Sequence, residues 1–337
     1  MTTWGPLVTR ARGLSSRLLT PATLHALALS ADRRAFSDAL ERMAYLAFAP
    51  NAPPPDERAV EAAVRGVASR RLATLARWSR DDDDLLVPLL EDEDRRSIRA
   101  LVRGAVAGVA PELRTAGLVP TPALPARALG ELALLGDISS IAAALLALRH
   151  PFARALAAEA HLDRPDLFSI DQAVMRAWAA RALSAARHGD AALRLYVQRS
   201  IDLQNLWAAR LLAEQRSDAT PHALFVSGGA LVHLEDLQQA AESHRPETLV
   251  RRMQARVAHT PLHVALLATT QTADDAALTA LLAEFLRRSR REPLGMAPVI
   301  CYVLRLRVEH RALLRILWQI SLGVPAALRV GDLEEAA

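Results

Sequence analysis

Three short landmarks recur along the chain in one order and at nearly one period, and this recurrence constrains the fold more than any other feature. The segments SIRAL (97–101), DLQNL (202–206) and EHRAL (309–313) begin at Ser97, Asp202 and Glu309. LLTPATL (18–24), LVPTPAL (118–124) and FVSGGAL (225–231) begin at Leu18, Leu118 and Phe225. Each member of this second set is an apolar pair, a turn, and a new helix opening on Leu. RHPFARAL (149–156) pairs with AHTPLHVAL (258–266), and RMAYLAFA (42–49) is a weaker copy. Self-similarity at a fixed period marks a repeated structural unit, here of about a hundred residues. The expected division is 1–95, 96–200 and 201–300, with closing helices at 301–337, where GVPAAL (323–328) resembles the opening of a further unit.

The repeated unit reads as helical. Ala, Leu and Arg dominate, and all three are strong helix formers, while aromatics are 4% and β-branched runs are scarce. With 337 residues, 51% of them hydrophobic, the chain buries a large core but is too long for one compact bundle. Apolar periodicity broken by Pro, Gly and Asp predicts helices over 4–17, 21–30, 32–47, 56–79, 83–91 and 93–109. A second set is predicted over 122–134, 137–148, 151–160, 168–188, 190–199 and 200–215. A third lies over 230–242, 246–258, 261–269, 274–291, 295–318 and 325–335. Thr20-Pro21 and Thr121-Pro122 each place a Thr N-cap before a first-turn Pro. The expected fold class is all-α, with three related helical-bundle units forming a pseudo-threefold body that the extra ends close.

Charge and composition exclude several classes. All 41 basic residues are Arg, the ordinary signature of a GC-rich genome, and the net charge is only +4. That is far from the dense basic stripe of a nucleic-acid binder, so no nucleic-acid partner is expected. Cys301, the single cysteine, sits in PVICYVLRL and reads as a small core residue, which rules out a disulfide framework. No stretch has the uninterrupted apolar length of a membrane span, and the most apolar region, around 128–148, carries Glu131 and Asp137. The segment before Asp32 has three Arg and no acid, as in a mitochondrial presequence, but LVTRARGLSSRLL is amphipathic and reads as a folded helix. The expectation is a protein soluble alone or peripheral to a membrane through a partner.

Several motifs invite a chemical reading. In RSIDLQNLWAARLL (199–212), Asp202 and Asn205 lie on a helix with apolar side chains on nearly every side. Buried polar groups need partners, so the two are either an acid/base pair or a structural clamp. RDDDDLL (80–86) resembles a magnesium-binding acidic motif, but Asp81, Asp82 and Asp84 face Leu85, Leu86 and Pro88 at i+4, and no second acidic motif follows. A solvated turn with an acidic helix cap is the simpler reading. His259 and His263 share helical spacing but lack a third ligand and a neighbouring Glu, so no metal site is expected. Gly228 and Gly229 in SGGAL lack the Gly-Lys-Ser/Thr of a phosphate loop and read as a turn needing positive φ. From 287 to 315 eight Arg face only Glu292 and Glu309. They read as a solvated helix face, or as a contact for acidic partner loops or anionic headgroups centred on Arg287, Arg288 and Arg291.

With these motifs in order, the sequence resembles the C-type subunits of A/V-type rotary ATPases, called d-type in the vacuolar enzyme. That family carries Asp/Glu-x-x-Asn-Leu helices, a loop ending in Gly-Gly, and Thr-Pro near a helix start. IDLQNLWAARLLA, FVSGGAL and AHTPL match in order, TRARGLSSRLLTP is similar, and LRVEHRALLRILWQISLGVP resembles the family's C-terminal helix and closing turn. Only the second unit keeps both Asp202 and Asn205; the third has Glu309 but Ala312, and the first has Ser97 and Ala100. The resemblance implies a funnel of three helical domains on the cytoplasmic face of the membrane proteolipid ring. Such a protein is a peripheral, non-catalytic part of the central stalk and receives the shaft subunits (D/F type). It couples ATP turnover to H+ or Na+ transport and needs no cofactor. A free-standing α-helical scaffold that binds other proteins is the alternative, and an enzyme using the acidic clusters ranks third.

Overall fold

The computed structural model describes residues 5–47, 55–79, 85–160, 166–214, 219–268 and 273–335, and over these the chain is all-α, without a strand. It begins with α1 (Gly5–Ser15), α2 (Pro21–Ala28), α3 (Arg33–Arg42) and α4 (Glu57–Arg77). There follow α5 (Val87–Val106), α6 (Pro111–Arg114), α7 (Ala126–Ala133), α8 (Ile138–Ala147), α9 (Ala153–Ala160) and α10 (Leu167–His188). The second half contains α11 (Ala191–Ala213), α12 (Pro221–Leu224), α13 (Leu234–Ser243), α14 (Pro246–Val257) and α15 (Pro261–Leu267). It closes with α16 (Ala273–Arg291), α17 (Ala297–Ser321) and α18 (Ala326–Glu335). No helix among the described residues is long and apolar enough to cross a membrane.

Side chains at the helix starts explain many of the boundaries. The carboxylates of Asp32, Asp56, Asp137, Asp166 and Asp190 each accept the N–H three residues on, at 2.8–2.9 Å. Each so satisfies one of the orphan donors of a helix N-terminus. Thr20 does the same for Thr23 ahead of Pro21. Thr121 departs from expectation, because α7 starts at Ala126 and not at 122. Pro125 is the reason: it disfavours helical φ/ψ at Leu124, so the helix can begin only after it. Two breaks expected from the sequence are absent. Helix α5 runs through the polar run 91–96, since its charges are paired inside the fold. Likewise α11 passes straight through residues 199–200. The short α6 and α12, each opening on Pro, lie outside the helices that periodicity predicts.

Three hydrophobic clusters make up the core. The largest joins α1, the end of α4, α5, residues 118–201 and residues 278–306. A second gathers residues 206–266 with Ala277. The third combines residues 27–67 with Leu313, Leu314, Ile316 and Leu317 of α17. Helix α17 thus packs against α1, α2, α3 and α4, and α18 packs against α2, where Arg329 donates to the Ser30 carbonyl at 3.0 Å. The last helices are seated on the first.

Candidate functional site

Asp202 and Asn205 project from α11 onto one loop, residues 225–233, that precedes α13. Asn205 pairs with a single residue in both directions: its Nδ2 donates to the Val226 carbonyl at 2.8 Å, and its Oδ1 accepts the Val226 N–H at 2.9 Å. Asp202 Oδ1 accepts the N–H groups of Ala230, Leu231 and Val232 at 2.9, 2.9 and 3.1 Å. Both side chains are fully buried. Burial raises the Asp202 pKa, and the three N–H donors, with Arg199 3.8 Å away, oppose that rise. These loop N–H groups are committed to the carboxylate, and α13 starts at Leu234 and not at 230.

The two glycines serve this clamp differently. Gly228 has φ +106°, and a Cβ there would overlap Leu183. Gly229 does not have positive φ, contrary to the reading of the sequence. It is needed because a Cβ would fall on Asp202 Oδ1, so only glycine lets the loop backbone approach the carboxylate.

The same device recurs on two other helices. Glu309 of α17 accepts the Leu19 N–H at 2.5 Å and the Tyr45 hydroxyl at 2.8 Å, and it is ion-paired with Arg71. Burial and the adjacent Glu309 push the Tyr45 pKa up, so the hydroxyl remains a donor. On α5 the corresponding carboxylate is Asp94, which accepts the Thr121 hydroxyl at 2.5 Å, while Thr121 Oγ1 accepts the Leu124 N–H at 3.0 Å. His150 Nε2 lies 3.5 Å from the other Asp94 oxygen. Asp94, Asp202 and Glu309 are almost evenly spaced along the chain. The first copy is therefore Asp94-x-x-Ser97-Ile98, which corrects the register that sets Ser97 opposite Asp202 and Ala100 opposite Asn205. All three loops held in this way, at Leu19, Thr121 and 226–232, are the LLTPATL, LVPTPAL and FVSGGAL landmarks. Each carboxylate is turned inward on donors of the chain itself, an arrangement that fixes a loop and presents no charge outward.

One residue from each of these three helices meets in a buried hub that the sequence does not disclose. Asp92 of α5 accepts the Tyr196 hydroxyl of α11 at 3.0 Å and lies 3.1 Å from Arg307 Nη2 of α17. Arg307 also pairs with Glu93, and Arg95 and Arg96 pair with Asp92. Burial alone would raise the Asp92 pKa, but Arg96, Arg95 and Arg307 outweigh it and hold the carboxyl well below the usual range. Burial beside Asp92 pushes the Tyr196 hydroxyl up to about 12.

The hub also divides the basic run of 287–315. Arg307 is buried and so is not on a solvated face, while Arg311 and Arg315 are partly exposed and pair with Asp275. Of the three arginines expected to face a partner, Arg287 and Arg291 are exposed and Arg288 bonds Glu292 at 3.0 Å. Arg287 borders a cleft of about 720 Å³ that also contains His259 and His263. Among the described residues no three His, Cys, Asp or Glu side chains are grouped to hold a metal ion. The acidic run at Asp81, Asp82 and Asp84 lies outside the described residues. Cys301 is buried, and burial raises its thiol pKa to about 12.

The family model for the ATP synthase (C/AC39) subunit matches residues 7–328, nearly the whole chain. No curated protein matches the sequence.

Proposed function

This chain belongs to the ATP synthase (C/AC39) subunit family of V/A-type ATPases, and from that premise we propose that it is a non-catalytic subunit of the central rotor. In this role it joins the central shaft (D/F type subunits) to the proteolipid ring on the cytoplasmic face of the membrane. It transmits torque for ATP-linked movement of H+ or Na+. The observation that carries the reading is the family match over 7–328.

Two features of the fold support it. A coupling must resist twisting, which calls for close-packed helices with loops fixed in place. The Asp94, Asp202 and Glu309 clamps supply such fixation at three points of nearly equal spacing. The seating of α17 and α18 on the first helices favours a closed, pseudo-threefold funnel of three related units over an open-ended scaffold. In that arrangement α17 begins a unit whose remainder is the N-terminal segment, just as α5 and α11 begin theirs.

The test is affinity purification of the tagged chain from mildly solubilised membranes of its host. Proteolipid and shaft subunits should co-purify in stoichiometric amounts. Recovery of the chain alone, or with unrelated soluble proteins, would overturn the rotor assignment in favour of the scaffold reading.

A further inference from the structure

A cleft of about 760 Å³ opens between α1, α4 and the turn after α3, and four arginines line it: Arg10, Arg17, Arg70 and Arg71. Two come from α1 and the turn after it and two, adjacent in sequence, from α4, so the fold brings the two pairs together. Arg71 is already committed, to the Glu309 carboxylate and to the Arg17 carbonyl. Arg10 lies over the Trp78 ring, 5.2 Å from its centre. Among the described residues, no carboxylate pairs with Arg10, Arg17 or Arg70. The floor is apolar, with Leu14 and Val67 buried beneath the guanidinium groups.

Three unneutralised cations around one apolar floor repel one another, and an anionic guest would relieve that repulsion. Guanidinium groups bind carboxylates through paired N–H donors. The shape narrows the choice of guest. A concave site takes a protruding segment, whereas a planar bilayer surface cannot enter it. At this size the cleft is in the range of about 300–1,000 Å³ that encloses a few side chains or a small ligand. We propose that the cleft is the docking site for a short acidic segment of a partner protein, whose carboxylates engage Arg10, Arg17 and Arg70 while an intervening apolar side chain rests on Leu14, Val67 and Trp78. This goes beyond the rotor reading and does not depend on it, since it concerns binding by the isolated chain.

The experiment uses the full chain and a rhodamine-labelled peptide, Glu-Glu-Leu-Glu-Glu-Leu-Glu-Glu, followed by fluorescence anisotropy. The wild type should bind it saturably, more weakly as salt rises, and should ignore the peptide with Lys in place of Glu. Binding should weaken at least tenfold in Arg10→Ser/Arg17→Ser/Arg70→Ser. It should be unchanged in Arg287→Ser/Arg288→Ser/Arg291→Ser. Thermal unfolding of the first variant checks its fold, and Arg17→Glu/Arg70→Glu, which leaves the Arg10–Trp78 stack in place, gives an independent loss of binding. Equal binding by wild type and both cleft variants would overturn the proposal. So would arginine-dependent capture of phosphatidylserine vesicles with no affinity for the peptide, which would make the guest a lipid surface. Peptide binding that appears only after Asp81, Asp82, Asp83 and Asp84 are replaced by Asn would also overturn it, by making the chain's own acidic run the occupant.

Discussion

The Glu309 carboxylate on α17 accepts the backbone N–H of Leu19, from the opposite end of the chain, at 2.5 Å. Tyr45 and Arg71 complete its shell, so one side chain ties α17 to the turn before α2, to the turn after α3 and to α4. Glu309 is only 2% exposed, and its partners gain little from water if it is removed. Deleting one member of a buried ion pair costs about 3–5 kcal/mol. Glu309→Ala should lose stability of that order in urea unfolding. Glu309→Gln, whose amide oxygen still accepts from Leu19, should lose less. Equal stability of Glu309→Ala and wild type would rule out the tie.

Asn205 satisfies both backbone groups of Val226, and an alanine there satisfies neither. Each buried polar group left unpaired costs about 1–3 kcal/mol. With two groups stranded, Asn205→Ala should lose about 2–6 kcal/mol in equilibrium unfolding. Asn205→Asp keeps the acceptor for the Val226 N–H but sets a carboxylate against the Val226 carbonyl, so it should be no more stable than the alanine variant. A stable, well-folded aspartate variant would show that the carbonyl contact is dispensable.

Gly229 and Asp202 should be coupled, because the missing Cβ of one makes room for the carboxylate of the other. Forcing extra volume into a packed site costs about 1–3 kcal/mol. Gly229→Ala should show this loss in the wild type and much less of it in an Asp202→Ala background. A double-mutant cycle should return a coupling of about 0.5–3 kcal/mol, the range for residues in contact. Strictly additive losses would mean that Gly229 is not there for the carboxylate.

Much of this architecture is legible in the sequence, and the failures share a physical cause. Helix-forming composition points to the all-α class and apolar periodicity to most helix starts, while of the two Thr caps read in the sequence Thr20 opens a helix and Thr121 does not. The recurrence of FVSGGAL and LLTPATL marks loops that the structure fixes to Asp202 and Glu309. Sequence similarity places the first copy three positions late, at Ser97 in place of Asp94. Such a slip is nearly one helical turn and keeps the side chain on about the same face, so periodicity alone cannot detect it. The hidden signal is Asp94 itself, which fits the period but sits inside the acidic run EDED. Hub and cleft are invisible for a different reason: Asp92, Tyr196 and Arg307 meet only through tertiary packing, as does Arg70 with Arg10 and Arg17 of the α1 segment.

The hub makes a prediction of its own. Arg307 is the member that reaches both Asp92 and Glu93, and it is buried with them. Arg307→Met should therefore cost about 3–5 kcal/mol, the penalty for leaving a buried charge without its partner. Adding Glu93→Gln should restore part of the loss, because the stranded carboxylate is then gone. If the double variant is less stable than the single by the full cost of a second independent mutation, Glu93 is not held by Arg307.

The acid side of the stability profile should carry the signature of His310. Burial lowers its pKa from 6.5 to about 4; Glu93 pulls it up, and Arg311 and Arg65 push it down. Well above pH 6.5 the ring is neutral in folded and unfolded chains alike and contributes no slope. As the pH falls through 6.5 the unfolded chain takes up a proton that the folded chain refuses, so stability falls until about pH 4, where the folded ring also titrates. The whole shift corresponds to a loss of about 3 kcal/mol, of which about 2 should be gone by pH 5. Asp202, with its raised pKa, acts in the opposite sense, since its protonation favours the folded state as the pH drops. The comparison is therefore made between pH 7 and 5, above the range where carboxylates dominate. Unfolding free energies should fall by about 2 kcal/mol in the wild type over that interval and by much less in His310→Leu, which has no ring to protonate. Identical slopes in the two proteins would mean that His310 is protonated in the folded state as readily as in the unfolded one.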